Sequence, residues 1–183
     1  MPWQWRALVS LMHAGAMSST RAQSYGFLLL GCVVLIFVGL VTKSWLVGSS
    51  RGVAVAIGPF GVESCAGGAC SDVAWSDPRL KLPGDVRVLA ILTWLTSIVA
   101  LLAAAGYGAV AFRGMRDRMP PYGYAIGAFA VALAIAVLFA IRVYTESGSN
   151  ASFGWSLVPV LGGLVAALVL VRRLAAEWPR TRR

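Results

Sequence analysis

From Val88 to Phe112 the chain contains no charged residue. A run of that length and polarity constrains the fold more than any motif does. About 20 mostly apolar residues in a helix cross roughly 30 Å of hydrocarbon. Lipid offers no hydrogen bonds, so a crossing backbone must satisfy its own polar groups. Three further stretches have the same character. They run from Tyr25 to Trp45, from Tyr122 to Val143 and from Phe153 to Val171, with Lys43 and Arg142 only at their ends. Pro159 in the last stretch is tolerable where neighbouring helices take up the freed backbone groups.

The whole chain agrees with these runs. It is 58% hydrophobic and 13% charged over 183 residues. Soluble domains are about half apolar and about a quarter charged. An ordinary soluble enzyme is excluded, and so is a disordered chain, which needs low hydrophobicity. The sequence predicts an all-α membrane protein. Residues 1–183 form a single membrane domain, with spans at about 25–45, 88–112, 122–143 and 153–171 and an outer loop over 46–86.

Charge predicts the orientation. The N-terminal segment, the link RGMRDRMPP and the tail VRRLAAEWPRTRR together carry a net of +8, and the loops on the other side carry +1. Lys and Arg collect on the cytoplasmic side of spans. Both termini are therefore expected in the cytoplasm of a multi-pass protein, in a plasma membrane or a bacterial inner membrane. The basic residues sit at helix ends, so the expected partner for them is the lipid bilayer with its anionic headgroups, not nucleic acid. Two readings of the segment before Tyr25 stay open. It is a short interfacial helix carrying Trp3 and Trp5, or Met17 is the true start. A cleaved leader is not expected, because the apolar run is long and lacks a small-residue cleavage site. Leu29-Leu30-Gly31-Cys32 is similar to a lipoprotein site, but the apolar run continues to Thr42. Cys32 is read as a small buried hydrophobe.

The outer loop departs from helical patterning. Val53, Val55 and Ile57 alternate with small residues, and Phe60, Val62 and Ser64 follow beyond Gly58-Pro59. Period two marks a strand with one buried face. In CAGGAC, Gly67-Gly68 suits a two-residue hairpin turn that needs positive φ. Ala66 and Ala69 then pair, and Cys65 faces Cys70 at a Cα separation of about 4.5 Å, which a disulfide can bridge. A Cys65–Cys70 disulfide is expected, worth roughly 2 kcal/mol for so short a loop. Free thiols and a metal site are the alternatives. A metal would need further ligands, and the single histidine, His13, is predicted on the far side. A redox pair is a further alternative, but quinone-linked thiol enzymes use C-x-x-C with a second pair, and this chain has neither.

With these residues in view, the chain resembles the claudin and peripheral myelin protein superfamily. Four spans, cytoplasmic termini, a long first loop with strands and two cysteines, and a short second loop give the likeness in layout. Trp45 stands where claudins place a loop tryptophan, and GPFGVESC stands where they have G-L-W-x-x-C. Cys70 takes the second cysteine's place, and LPGDVR from Leu82 to Arg87 is similar to the close of claudin loops. ASFGWS from Ala151 to Ser156 is similar to the start of their fourth helix. The pattern departs at Val62, where claudins carry an aromatic residue, with Phe60 two positions earlier. The cysteines are also closer together than is usual in claudins. The resemblance implies a small extracytoplasmic antiparallel sheet above a four-helix bundle.

No ionisable residue lies well inside a span, and intramembrane chemistry usually needs one. No phosphate loop, metalloprotease motif or haem-ligating pair of histidines is present. The expectation is a protein that is not an enzyme, with no cofactor, no metal, no catalytic residue and no evident small-molecule substrate. Gly123 and Gly127 form a GxxxG pattern continued by Ala130 and Ala134. Such faces let helices approach closely, so these glycines are read as packing positions in the bundle, with contact to another membrane protein as the alternative. Trp75, Trp94 and Trp155 read as interfacial residues, and Asn150-Ala151-Ser152 matches a glycosylation sequon. The expected role is an interaction protein using Trp45, Phe60, Val62 and Trp75 of its outer loop for contact with other membrane proteins or with its own copies. An auxiliary subunit of a channel or transporter acting through helix contacts is the second reading, and a thiol oxidoreductase the third.

Overall fold

A computed structural model describes residues 3–50, 52–75, 77, 83–115, 120–147 and 151–177, with side chains from Thr20 onward and without that of Ser50. The Asn150 sequon, Leu82 of LPGDVR, and the side chains of Trp3 and Trp5 lie outside the described residues. Helix α1 covers Trp3–Val41, α2 Gly84–Phe112, α3 Tyr122–Ser147 and α4 Leu157–Glu177. Strands β1 to β4 (Leu46–Ser50, Val53–Gly58, Gly61–Ala66, Ala69–Ala74) fill the first loop, and β5 (Ala151–Phe153) lies in the second.

Each helix carries a stretch long and apolar enough to cross a membrane, with that of α1 spanning Thr20–Val41. Neighbours in sequence pack side by side and α4 closes the ring on α1. The buried residues of α2 are Val86, Ala90, Thr93, Ser97, Ala100, Ala104, Tyr107 and Ala111, with Gly108 beside them. Their spacing alternates between four and three, the seam of a left-handed bundle. Ala125, Phe129, Ala132, Ala136, Phe139 and Val143 repeat it in α3, and Leu157, Val160, Leu164, Ala167, Val171 and Leu174 in α4. The outward face is apolar too. Phe27, Leu102 and Val158 are 68%, 64% and 71% exposed. Side chains of that kind face lipid without penalty and water only at a cost.

Alanine and glycine seams bring the helices close. A Cβ on Gly26 would strike the backbone of Gly108 and Phe112, and one on Gly39 would strike Val160 and the Ser156 carbonyl. These are the close-packing glycines, and the GxxxG pattern is not among them. Gly123, Gly127, Ala130 and Ala134 are exposed on the outside of α3, and a Cβ on either glycine would meet nothing within 4 Å. The bundle-packing reading of Gly123 and Gly127 is thus corrected. The register of α3 is set by Phe129 and Phe139, whose burial turns the glycine stripe outward.

Helix ends also shift. Helix α1 stops at Val41, so Trp45 lies beyond it. Phe153 belongs to β5 and not to the fourth helix. Helix α2 ends in a Schellman motif: Gly114 takes φ +67°, its N–H reaches the Ala111 carbonyl (3.0 Å), and Met115 N–H reaches that of Val110 (3.1 Å). Positive φ at that position favours glycine.

The strands form one antiparallel sheet in the order β4-β3-β2-β1-β5. It lies at the end of the bundle where α1 and α3 finish and α2 and α4 begin.

Candidate functional site

The β3–β4 hairpin follows the predicted geometry. Gly67 and Gly68 adopt φ of +57° and +87°, Ala66 pairs with Ala69, and Cys65 with Cys70. The two cysteine Cα atoms are 4.1 Å apart and the sulfurs are bonded. Further down the ladder Ser64 and Ser71 hydroxyls meet at 3.0 Å, and Glu63 faces Asp72. Facing carboxylates repel. Lys43, just past α1, relieves this with its ammonium 2.5 Å from Asp72. The Glu63 carboxylate and the two cysteine sulfurs lie within 4.8 Å of one another. Both sulfurs are committed to the disulfide, so the trio has no thiolate for a metal. Cys32, the remaining cysteine, is buried in α1.

Three aromatic rings seat the sheet on the bundle. Phe139 of α3 is fully buried. Trp45 and Trp75 approach it edge-on, with centroids at 6.0 and 5.9 Å. Each indole also donates to a carbonyl. Trp45 Nε1 reaches Gly39 O, a carbonyl of the last turn of α1, at 2.7 Å, and Trp75 Nε1 reaches Gly58 O at 2.9 Å. A buried indole N–H requires such a partner. The turn of the chain at Trp45 is fixed twice more, by its N–H to Ile57 O (3.0 Å) and by Gly154 N–H to its carbonyl (2.8 Å). The last bond delivers β5 to β1, and Tyr144 stacks on Phe153 at 5.1 Å. Arg142 binds Asp85 (2.7 Å) and Glu146 (2.6 Å), tying α2 to α3 at this end.

The burial corrects the expected contact residues. Trp45 and Trp75 are 0% and 6% exposed, so neither presents a contact surface, while Val62 is half-buried against the core. Trp75 is likewise no interfacial anchor. A tryptophan with a carbonyl partner and a buried phenylalanine to pack on gains more inside than at a surface. Phe60 alone of the four is exposed, at 42%.

What is exposed is the far side of the sheet. Apart from half-buried Val73, every residue of β4 is exposed. Among the described strands only β3 pairs with β4, and Asp77 N–H takes the Ala74 carbonyl at 2.9 Å, which leaves the edge open along 69–73 among the described residues. Asp72 is the one charge on that strand. Natural edges are usually blunted by lysine, proline or bulges, and β4 has none of these.

Sequence patterning missed β1 and β5. LVGSS has no clean alternation of apolar and polar residues, and three residues are too few to show a period. Gly154 was the available signal, because a Cβ there would collide with the Ser44 carbonyl. Phe139 had no signal at all, since it stands in an apolar run beside the outward-facing Leu138. Among the described residues the buried polar side chains are Thr93, Ser97 and Ser156, so no carboxylate, lysine, arginine or histidine is buried.

The chain matches no protein-family model and no curated protein.

Proposed function

We propose that this is a non-enzymatic, claudin-like membrane protein whose sheet lies outside the cytoplasm and contacts another membrane protein or a second copy of itself. The observation that carries the reading is the contrast between the two sides of the sheet. One side is locked onto the bundle by Trp45, Trp75 and Phe139. The other ends in an exposed edge strand whose register is pinned by the Cys65–Cys70 bridge. A rigidly held strand edge loses little entropy on pairing with a partner strand, and main-chain bonds supply the affinity. The charge asymmetry supports cytoplasmic termini, and an oxidising compartment suits the disulfide.

The test is the double variant Cys65→Ser, Cys70→Ser. It should insert normally, because no span is altered, and lose partner capture in mild detergent by about tenfold or more. Capture at wild-type level would sink the edge-strand reading.

A second reading is a channel or transporter auxiliary subunit acting through its helices. The outward face of Gly123 and Gly127 favours it. Closely approaching small residues drive helix association in lipid. Gly127→Leu should then abolish co-purification of the partner without lowering the melting temperature. Retained co-purification would remove α3 from consideration.

A further inference from the structure

Lys43 and Asp72 line a recess of about 210 Å3 together with Phe60, Val62 and the facing backbone of β3 and β4. Its depth in the bilayer follows from helix lengths. Arg21 and Lys43 bracket an uncharged run over residues 22–42, which rises about 32 Å as helix, close to the hydrocarbon thickness. Lys43 therefore stands at the hydrocarbon boundary. Helix α2, with 29 residues, is longer than the membrane requires. Near its sheet end the Trp94 ring of α2 meets the Phe60 ring edge-on at 6.2 Å. From Trp94 to Phe112 the helix rises about 28 Å. The rise of α1 sets the recess at headgroup level, on the side of the sheet, and the tryptophan beside it is of the type enriched at that level.

The charges in the recess are one ammonium and one carboxylate, with a second carboxylate, Glu63, directly across the strand pair from Asp72. The Lys43 and Asp72 side chains are 34% and 62% exposed, so the pair is open to exchange. Local charge is net negative, and the facing acids favour an additional cation. An anion alone would find one lysine against two carboxylates. A zwitterion carrying a phosphate and a primary ammonium matches both signs.

We propose that this recess binds the headgroup of a phosphatidylethanolamine-type lipid from the adjoining leaflet. The phosphate replaces Asp72 on the Lys43 ammonium. The lipid's ammonium donates to Asp72, with Glu63 behind it, and the acyl chains run down past Phe60 and Trp94. Lysine serves phosphate as a point charge. A primary ammonium donates hydrogen bonds to a carboxylate, which a quaternary choline does not. The proposal needs the helices to cross a bilayer but needs no protein partner, so failure of the cysteine variant's test leaves it standing.

Native mass spectrometry of the full chain in mild detergent tests it. The protein is offered equal amounts of phosphatidylethanolamine, phosphatidylcholine and phosphatidylglycerol with identical acyl chains. The wild type should retain phosphatidylethanolamine about tenfold better than either competitor. Asp72→Asn should erase that preference, and Lys43→Ala should weaken retention of all three, with Lys43→Arg restoring it. Asp72 is exposed and Lys43 about a third exposed, and an ion pair of that kind contributes little to stability, so the variants should melt within a few degrees of the wild type. Lys43→Arg and Asp72→Glu are the conservative controls if one does not. Equal retention of the three lipids, or a preference that survives Asp72→Asn, overturns the proposal. Displacement of bound lipid by equimolar soluble phosphoethanolamine would also overturn it, since the ligand would then be the free compound.

Discussion

Phe139→Ala is expected to be the most damaging single truncation at the sheet end of the molecule. The ring is fully buried and both Trp45 and Trp75 rest on it. Removing a buried phenylalanine costs about 3–5 kcal/mol, through lost contact and the cavity left behind. For a chain of this size each kcal/mol lowers Tm by about 2–4 °C, so a fall of roughly 10 °C is expected in detergent. The effect should be local in kind. The apolar spans are unchanged, so the protein still inserts. The first loop loses its seat, the tryptophan emission shifts to the red, and protease cuts within 46–86 appear sooner. If loop protection stays at the wild-type level while Tm falls, the aromatic seat does not hold the sheet.

Gly154→Ala is the second large effect. A Cβ there would overlap the Ser44 carbonyl and press on the Trp45 backbone. Overpacking costs about 1–3 kcal/mol, and the upper end is expected because backbone, not a flexible side-chain tip, must give way. The strain falls on the bond from Gly154 N–H to Trp45 O, which joins β5 to β1. Amide hydrogen exchange at Val47 and Ser152 should accelerate together, as they are paired across that ladder. Gly127→Ala is the matched control, because a Cβ at Gly127 meets open space. It should not lower Tm, since alanine is the better helix former by about 0.5–1 kcal/mol, and should not speed exchange. Equal behaviour of the two variants would contradict the packing described for Gly154.

The four spans were legible because each is a continuous statement. Lipid demands an uninterrupted apolar run, and Val88 to Phe112 supplies one whatever its neighbours do. The hairpin was legible for a different reason. Cys65 to Cys70 is closed by local geometry alone, so turn chemistry predicted its register residue by residue. β1 was not legible because LVGSS has no alternation to mark it, although it pairs locally with β2, and β5 because its only pairing is with residues about a hundred positions away.

The direction of individual side chains divides along the same line. In water, apolar residues point inward, and periodicity reads the core from the sequence. In a lipid-facing helix both faces are apolar, so Phe139 and Leu138 look alike, and so do Gly26 and Gly127. Sequence by itself determined the four stretches long and apolar enough to cross a membrane, the charge asymmetry and the cysteine-closed hairpin, since each rests on local chemistry or on the solvent's polarity. Only the tertiary structure decided which glycines pack, which tryptophans are pillars and which strand edge is left open. Those follow from how four helices rotate against one another, and an apolar solvent erases that rotation from the sequence pattern.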